Sequence, residues 1–142
     1  MSLTNEERYE VVTYRLEKAQ KTIGQVESII PLQYWEIVAN RLYYAAYYAV
    51  SALLIARGHT VRTHEGIIQC FGNNFVKTGI VSKEQGKLYS QLFTLRLKGD
   101  YEDKYDLTKE AVLHLVEPTK FFIDSISKMA IQTISPATQD IK

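Results

Sequence analysis

Arg96 and Asp100 have residue types and a spacing that suggest chemistry. They lie four residues apart, which places both side chains on one face of a helix. Tyr89 and Phe93 precede Arg96 on the same face. An arginine that projects from such an aromatic face is a candidate to bind an anionic group. The alternative is an ordinary intrahelical ion pair with Asp100, which is worth about 0.2–0.5 kcal/mol. The sequence leaves both interpretations open.

His64 is a second candidate, because it follows Thr63, a residue type that commonly caps the start of a helix. The positive end of the helix dipole disfavours an imidazolium at that position and favours the neutral ring. A neutral imidazole is the form that a general base requires. The alternative is a local role, in which His64 hydrogen-bonds or caps the helix start.

A tyrosine-rich segment supplies the third group of candidates. Arg41, Tyr44 and Tyr48 recur at helical spacing and share one face. Tyrosines at such positions either pack in the core with hydrogen-bonded hydroxyls or remain accessible to ligands. Accessible tyrosines can stack on nucleic-acid bases, at about 1–3 kcal/mol for each base. Both interpretations stay open at this point.

The composition excludes several kinds of site. The 142-residue chain has 17 Lys and Arg against 16 Asp and Glu, and its net charge of +1 argues against a broad nucleic-acid-coating surface. A single cysteine, Cys70, excludes an internal disulfide and a cysteine-based zinc site. Glu110 and His114 come nearest to a di-iron motif, but the pair is unrepeated and shares its face with other charged residues. The sequence therefore predicts no metal and no cofactor.

Neither a signal peptide nor a membrane span is indicated. The first ten residues are polar and acidic, whereas a signal peptide has a basic start and an apolar centre. No apolar run approaches the roughly 18 residues that are needed to cross a bilayer. With one cysteine, a reducing compartment is the simplest setting. We therefore expect a cytoplasmic protein without a membrane interaction.

The elements that position these candidates are predicted to be helices throughout. Apolar residues recur at three- and four-residue spacing, and no segment alternates with the period of a strand. The five predicted helices begin near Thr4, Gln33, Thr63, Ser82 and Thr108. Pro118 lies inside the fifth and should kink or split it. We predict one all-α domain over residues 1–130, an up-down bundle of four to five helices, with a polar tail over 131–142.

The second predicted helix is apolar on nearly all of its faces. Its main stripe carries four alanines, which allow a neighbouring helix to approach closely. They are Ala45, Ala49, Ala52 and Ala56. A helix that is apolar all round is surrounded by protein. It is therefore either the central helix of the bundle or shared between the bundle and a second protomer.

Three segments, in this order and spacing, resemble the HEPN superfamily (higher eukaryote and prokaryote nucleotide-binding). They are Asn40–Ala49 (NRLYYAAYYA), Thr63–Ile68 (THEGII) and Leu95–Tyr101 (LRLKGDY). The set is most similar to the small stand-alone bacterial and archaeal branch of that superfamily. The resemblance implies a HEPN-like helical bundle that forms a homodimer and binds RNA or a nucleotide in a cleft beside or between the protomers. It further implies a toxin-like, metal-independent ribonuclease that acts with a small nucleotidyltransferase as antitoxin.

The chain departs from the nuclease signature of that family, which is an arginine followed after four to six residues by a histidine. Counted from Arg96, those positions hold Tyr101, Glu102 and Asp103. Metal-free cleavage of RNA needs a group that deprotonates the 2′-hydroxyl, and a phenol is a poor base at neutral pH. His64 is the nearby candidate to replace the missing imidazole.

The residues and the resemblance together give one candidate site. Its candidate catalytic residues are Arg96 and His64. Its candidate RNA- or nucleotide-binding residues are Arg41, Tyr44, Asp100 and Tyr101. The alternative function is a catalytically inactive, dimeric helical module that recognises a partner protein.

Overall fold

A computed structural model describes residues 3–101 and 107–135. The elements in these two ranges are helices, without a strand, which confirms the predicted all-α fold. In chain order the α-helices are α1 (Asn5–Ile29), α2 (Trp35–Ala56), α3 (His64–Phe71), α4 (Lys83–Tyr101), α5 (Lys109–Val112) and α6 (Val116–Ile134). Helices α1, α2, α4 and α6 are long and form the bundle. None of these helices combines the length and the apolar character needed to cross a bilayer.

The first helix starts at the predicted capping box. The Thr4 hydroxyl accepts a hydrogen bond from the Glu7 amide at 3.0 Å, and the Glu7 carboxylate accepts one from the Thr4 amide at 2.8 Å. Each side chain therefore satisfies a backbone group that the first turn would leave unpaired. The buried residues of α1 include Val12, Leu16 and Ile23, and α1 packs along α2.

Helix α2 lies at the centre of the bundle, where it packs against α1, α3, α4, α5 and α6. Ala45, Ala49 and Ala52 are fully buried, so the alanine stripe does allow its neighbours to approach closely. The helix ends before Gly58, whose φ of 85° is the left-handed conformation expected of a C-cap glycine. Because α2 is central, its tyrosines come into contact with residues of both α3 and α4.

The predicted fifth helix is split near Pro118. Helix α5 ends at Val112, a 3₁₀ turn covers Leu113–Leu115, and α6 begins at Val116. Pro118 therefore lies in the first turn of α6, where a missing amide hydrogen breaks no intrahelical bond.

Helix α6 crosses the predicted domain boundary at residue 130. The helix continues past that boundary to Ile134, which is buried. Residues 102–106 of the charged segment and residues 136–142 of the predicted tail lie outside the described residues. The division into a domain and a tail stays a prediction.

Candidate functional site

The C-terminal end of α4 packs closely against the start of α2, and Gly99 permits this approach. A Cβ atom on Gly99 would lie 3.1 Å from Cδ1 of Leu107 and 3.5 Å from Cβ of Glu36. A larger side chain would therefore push these neighbours away. The close packing brings Asp100 and Tyr101, at the end of α4, next to the tyrosines of α2.

Arg96 is held among polar and aromatic groups and is only 8% exposed. Its Nε donates to Oδ2 of Asp100 at 3.2 Å, and its Nη2 donates to the hydroxyls of Tyr44 at 3.0 Å and Tyr101 at 3.3 Å. Its Cζ lies 5.3 Å from the ring centre of Tyr44 and 5.4 Å from that of Tyr101. We call Arg96, Asp100, Tyr44 and Tyr101 the arginine cluster. The ion pair considered as the alternative is present, and the aromatic rings of the cluster that contact Arg96 are those of Tyr44 and Tyr101.

Asn40 links the arginine cluster to Arg41. Its Nδ2 donates to Oδ2 of Asp100 at 3.1 Å, while its Oδ1 accepts from Nε and Nη2 of Arg41 at 3.1 and 2.8 Å. The guanidinium of Arg41 lies over the ring of Tyr44, with Cζ 5.6 Å from its centre. Two guanidinium groups, those of Arg41 and Arg96, thus contact the same tyrosine ring. An anion bound at this ring would be close to both positive charges.

His64 is the first residue of α3 and is fixed by the cap of that helix. The Thr63 hydroxyl accepts from the Gly66 amide at 2.9 Å, as the predicted N-cap should. Gly66 is needed here, because a Cβ atom on it would lie 2.7 Å from the Thr63 hydroxyl and 2.8 Å from Val61 Cγ1. The capped start directs the imidazole of His64 onto α2. There its Nδ1 lies 2.7 Å from the hydroxyl oxygen of Tyr43.

The surroundings of His64 favour a neutral ring. Burial lowers the pKa of His64, the positive charge of Arg96 lowers it further, and Glu65 opposes both effects. Burial raises the pKa of Tyr43 far above its ordinary range, so the phenol stays protonated. Nδ1 of His64 is a hydrogen-bond partner of this buried hydroxyl, and the phenol of Tyr89 acts on the same hydroxyl as a donor that lowers the pKa of Tyr43. The hydroxyl therefore donates to Nδ1, which leaves the ring proton of His64 on Nε2.

This tautomer bears on the predicted base role of His64. With its proton on Nε2, the neutral ring offers a hydrogen-bond donor at that nitrogen. The lone pair that a general base needs lies on Nδ1, which already accepts from Tyr43. The arrangement therefore suits the recognition of an oxygen atom better than the removal of a proton.

The structure brings the six predicted site residues together around the ring of Tyr44. His64 reaches this group through its contacts with Tyr43 and Tyr44, whose ring centres lie 5.6 and 5.9 Å from its own. The six residues are Arg41, Tyr44, His64, Arg96, Asp100 and Tyr101. Their proximity is a property of the fold, whereas the catalytic and binding roles assigned to them stay predictions.

Sequence reasoning missed two members of this group. Asn40 bridges Asp100 and Arg41, and Tyr43 holds the ring of His64. Both lie in the NRLYYAAYYA segment, on the helix face next to that of Arg41 and Tyr44. The signal was the presence of polar groups on a second face of a helix that is otherwise buried.

A metal site is not formed by the residues that the structure describes. Within 3–101 and 107–135, no three His, Cys, Asp or Glu side chains converge as ligands would. His114 bonds through Nδ1 to the backbone carbonyl of Glu110 in its own helical segment. The described side chains of the candidate site offer guanidinium, imidazole, phenol and carboxylate groups for chemistry.

Comparison with known proteins gives consistent matches over most of the chain. A family model described as HEPN domain matches residues 6–129. A UPF0332 protein of Thermotoga maritima is 33% identical over 123 residues, which cover 87% of this chain and 93% of that protein. Two proteins of Methanocaldococcus jannaschii are each 25% identical to the chain. "Putative toxin MJ0142" matches over 116 residues (82% of this chain and 79% of that protein) and "Putative toxin MJ0605" over 127 residues (89% and 94%).

Proposed function

The chain belongs to the HEPN domain family, as the sequence resemblance predicted, and we propose that it is a toxin-like member that binds RNA through the arginine cluster. The toxin names of the two archaeal relatives support the first part of this proposal. The second part depends on one observation, the placement of Arg96. The Arg96 guanidinium, which packs against the rings of Tyr44 and Tyr101, has the charge and geometry to bind a phosphate group in place of Asp100.

Phosphate binding would exchange one anion for another at Arg96. The carboxylate of Asp100 occupies Nε of Arg96, and a phosphate oxygen can accept the same hydrogen bond. Tyr101 next to it is 66% exposed, so a base attached to that phosphate has a ring on which to stack. The Nε2 proton of His64, whose ring centre lies 5.9 Å from that of Tyr44, supplies a further donor. The site therefore offers charge, stacking and hydrogen bonding to one nucleotide.

The proposal for this site is binding, with cleavage as a separate hypothesis. RNA cleavage requires a base within reach of the 2′-hydroxyl and an acid near the leaving oxygen. Tyr101 stands at the first of the positions where the family signature has its histidine, and the lone pair of His64 faces Tyr43. Cleavage by this chain would require the other tautomer of His64, with Nε2 as the base.

The family resemblance extends the proposal to partners. We propose that the chain forms a homodimer and that a small nucleotidyltransferase acts as its antitoxin. Co-purification of the chain with a nucleotidyltransferase from its own organism would test the second part. Sedimentation velocity of the purified chain over a range of concentrations would test the first.

A second candidate function is a catalytically inactive module that binds a partner protein. The observation in its favour is that Arg96 already bonds to Asp100, Tyr44 and Tyr101. An arginine that is this well satisfied can serve to hold α4 against α2. On this hypothesis, Arg96 contributes to stability and makes no contact with RNA.

The two functions differ in the effect of replacing Arg96. We expect fluorescence anisotropy to show salt-sensitive binding of labelled tRNA and mRNA fragments by the wild type. Arg96→Lys keeps the charge but loses the planar fork, and it should weaken binding by about tenfold. Arg96→Met removes the charge as well and should also reduce the slope of log affinity against log salt by about one.

Arg62→Met is the matched control, because Arg62 is exposed and lies outside the arginine cluster. It changes the net charge by the same amount and should alter the affinity little. Circular dichroism should first establish that each variant is folded. If folded Arg96→Met and Arg62→Met bind RNA as the wild type does, the arginine cluster is not an RNA site and the partner-binding function is preferred. A gel assay of tRNA and mRNA with wild type and His64→Ala then tests cleavage.

A further inference from the structure

A line of cation–ring and ring–ring contacts continues from the arginine cluster across α2 to α1. The ring centres of Tyr44 and Tyr48 are 6.2 Å apart on α2. Lys18 of α1 then lies over two rings, with Nζ 5.0 Å from the centre of Tyr48 and 5.9 Å from that of Tyr14. We call Tyr101, Tyr44, Tyr48 and Tyr14, with the bridging cations Arg96 and Lys18, the tyrosine track.

The two ends of the tyrosine track are open to solvent. Tyr14 is 62% exposed at one end and Tyr101 is 66% exposed at the other, while Tyr44 and Tyr48 between them are half-buried. Tyr14, Glu17, Lys18 and Lys21 line a shallow concavity of about 270 Å³ at the α1 end. The exposed rings of Tyr14 and Tyr101 add little to the core of the bundle and are accessible to a ligand.

The charges along the track favour an anionic chain. Lys18 and Lys21 at the α1 end, Arg41 beside Tyr44, and Arg96 supply four cations. Of the acidic residues within 3–101 and 107–135, Glu17 lines the same concavity as the two lysines, and Asp100 is paired with Arg96. Cations beside aromatic faces match a polymer that carries both phosphates and flat bases.

We propose that the tyrosine track is a binding path for single-stranded nucleic acid, which continues from Arg96 across α2 to a second base-stacking site at Tyr14. The inference rests on the proposed function and adds the class and the length of its ligand. A duplex keeps its base faces stacked inside the helix, so unpaired bases are the ones that reach tyrosine rings. The track therefore selects single strands that span several nucleotides.

Oligomers of different length test this inference. Labelled uridine oligomers of about three and about twelve nucleotides are compared by fluorescence anisotropy, together with a fully paired RNA hairpin. Wild type should bind the long oligomer more tightly than the short one or the hairpin. Tyr14→Ala should weaken binding of the long oligomer by at least about fivefold, and should leave the short one unchanged. Lys18→Ala should do the same, with a reduced dependence on salt.

Tyr9→Ala and Lys87→Ala are the matched controls. Tyr9 is an exposed tyrosine on a different face of α1, and Lys87 is an exposed lysine on α4. Both variants should bind the long oligomer as the wild type does. Because these side chains and Tyr14 are exposed, the variants should fold normally, which circular dichroism can establish.

The outcomes separate this inference from the proposed function. If Arg96→Met weakens both oligomers while Tyr14→Ala weakens neither, RNA binding at the arginine cluster stands and the track is overturned. If Arg96→Met weakens neither, the proposed function itself fails. If Tyr14→Ala changes the sedimentation coefficient and leaves the affinity for the long oligomer unaltered, a second copy of the chain covers this surface, and the track is likewise overturned.

Discussion

Replacing Asp100 by asparagine should separate the structural role of Arg96 from its proposed role in RNA binding. Oδ2 of Asp100 accepts hydrogen bonds from Nε of Arg96 and Nδ2 of Asn40. Asp100→Asn keeps the shape of the side chain and one carbonyl oxygen, but it removes the negative charge. We expect the folded protein to become slightly less stable and its affinity for RNA to rise.

The cost in stability follows from the burial of the ion pair. Exposed pairs contribute about 0–1 kcal/mol, whereas removing one partner of a buried pair costs about 3–5 kcal/mol. Arg96 is nearly buried, but the side chain of Asp100 is 27% exposed, and asparagine can still accept a hydrogen bond. About 1 kcal/mol is therefore the expected loss in the free energy of unfolding. For a chain of this size, that lowers Tm by about 3–4 °C.

The gain in binding follows from the competition for Arg96. In the wild type, an RNA phosphate has to displace the Asp100 carboxylate and then remain close to its charge. Removal of a partly exposed like charge beside the bound phosphate is worth about 1 kcal/mol, or about fivefold in affinity. The difference between variant and wild type should shrink as salt is raised, because mobile ions screen the repulsion.

Fluorescence anisotropy with a labelled single-stranded RNA measures the affinity, and calorimetry measures Tm. Asp124→Asn is the control, since Asp124 is exposed on α6 and its replacement changes the net charge equally. If Asp100→Asn lowers Tm but binds RNA no more tightly than Asp124→Asn, Arg96 and Asp100 form a structural pair and phosphate exchange at Arg96 is refuted.

Three further predictions concern the parts that support the site. Thr63→Ala removes the cap that accepts from the Gly66 amide and should cost about 1 kcal/mol in urea unfolding. Ala49→Leu places extra methyl groups in the closely packed centre of the bundle and should lower the free energy of unfolding by about 1–3 kcal/mol. Burial and then the charge of Arg96 lower the pKa of His64, so below about pH 6.5 the unfolded chain binds a proton that the folded protein resists. Stability should therefore fall as the pH decreases from about 7.5 to about 5.5, and it should fall less in His64→Gln, as urea unfolding at both pH values would show.

The helices and their ends could be predicted from the sequence, because their causes are local. Thr4 and Thr63 cap helices through hydrogen bonds to residues three positions away, and Gly58 supplies a left-handed conformation. Apolar stripes repeat with the period of the helix, so they marked α2 as either the central helix of the bundle or a helix shared with a second protomer, and its contacts in the structure place it at the centre. Pro118 gave the position of the split between α5 and α6 within a few residues, since its ring is incompatible with a continuous helix.

The contacts of the candidate site could not be predicted in the same way, because they join residues that are distant in the chain. The Asn40–Asp100 bond spans 60 positions and the Tyr43–His64 bond spans 21. Periodicity identifies the face on which a side chain lies, but it does not identify the helix that packs against that face. The nitrogen of His64 that carries the ring proton also depends on the contact with Tyr43, which only the packed structure gives.

The chemistry of Tyr101 and His64 indicates that this chain meets the requirements of RNA binding without meeting those of RNA cleavage. Tyr101 stands where the family signature can have its histidine, and its hydroxyl accepts a hydrogen bond from Arg96. A phenol in that position can hydrogen-bond a phosphate oxygen, yet it is a poor base at neutral pH. His64 has the required imidazole, but its Nδ1 lone pair is engaged by Tyr43. Phosphate binding requires neither a base at Tyr101 nor a free Nδ1 lone pair on His64. Tyr43→Phe should therefore change the rate of any RNA cleavage more than it changes the affinity for RNA.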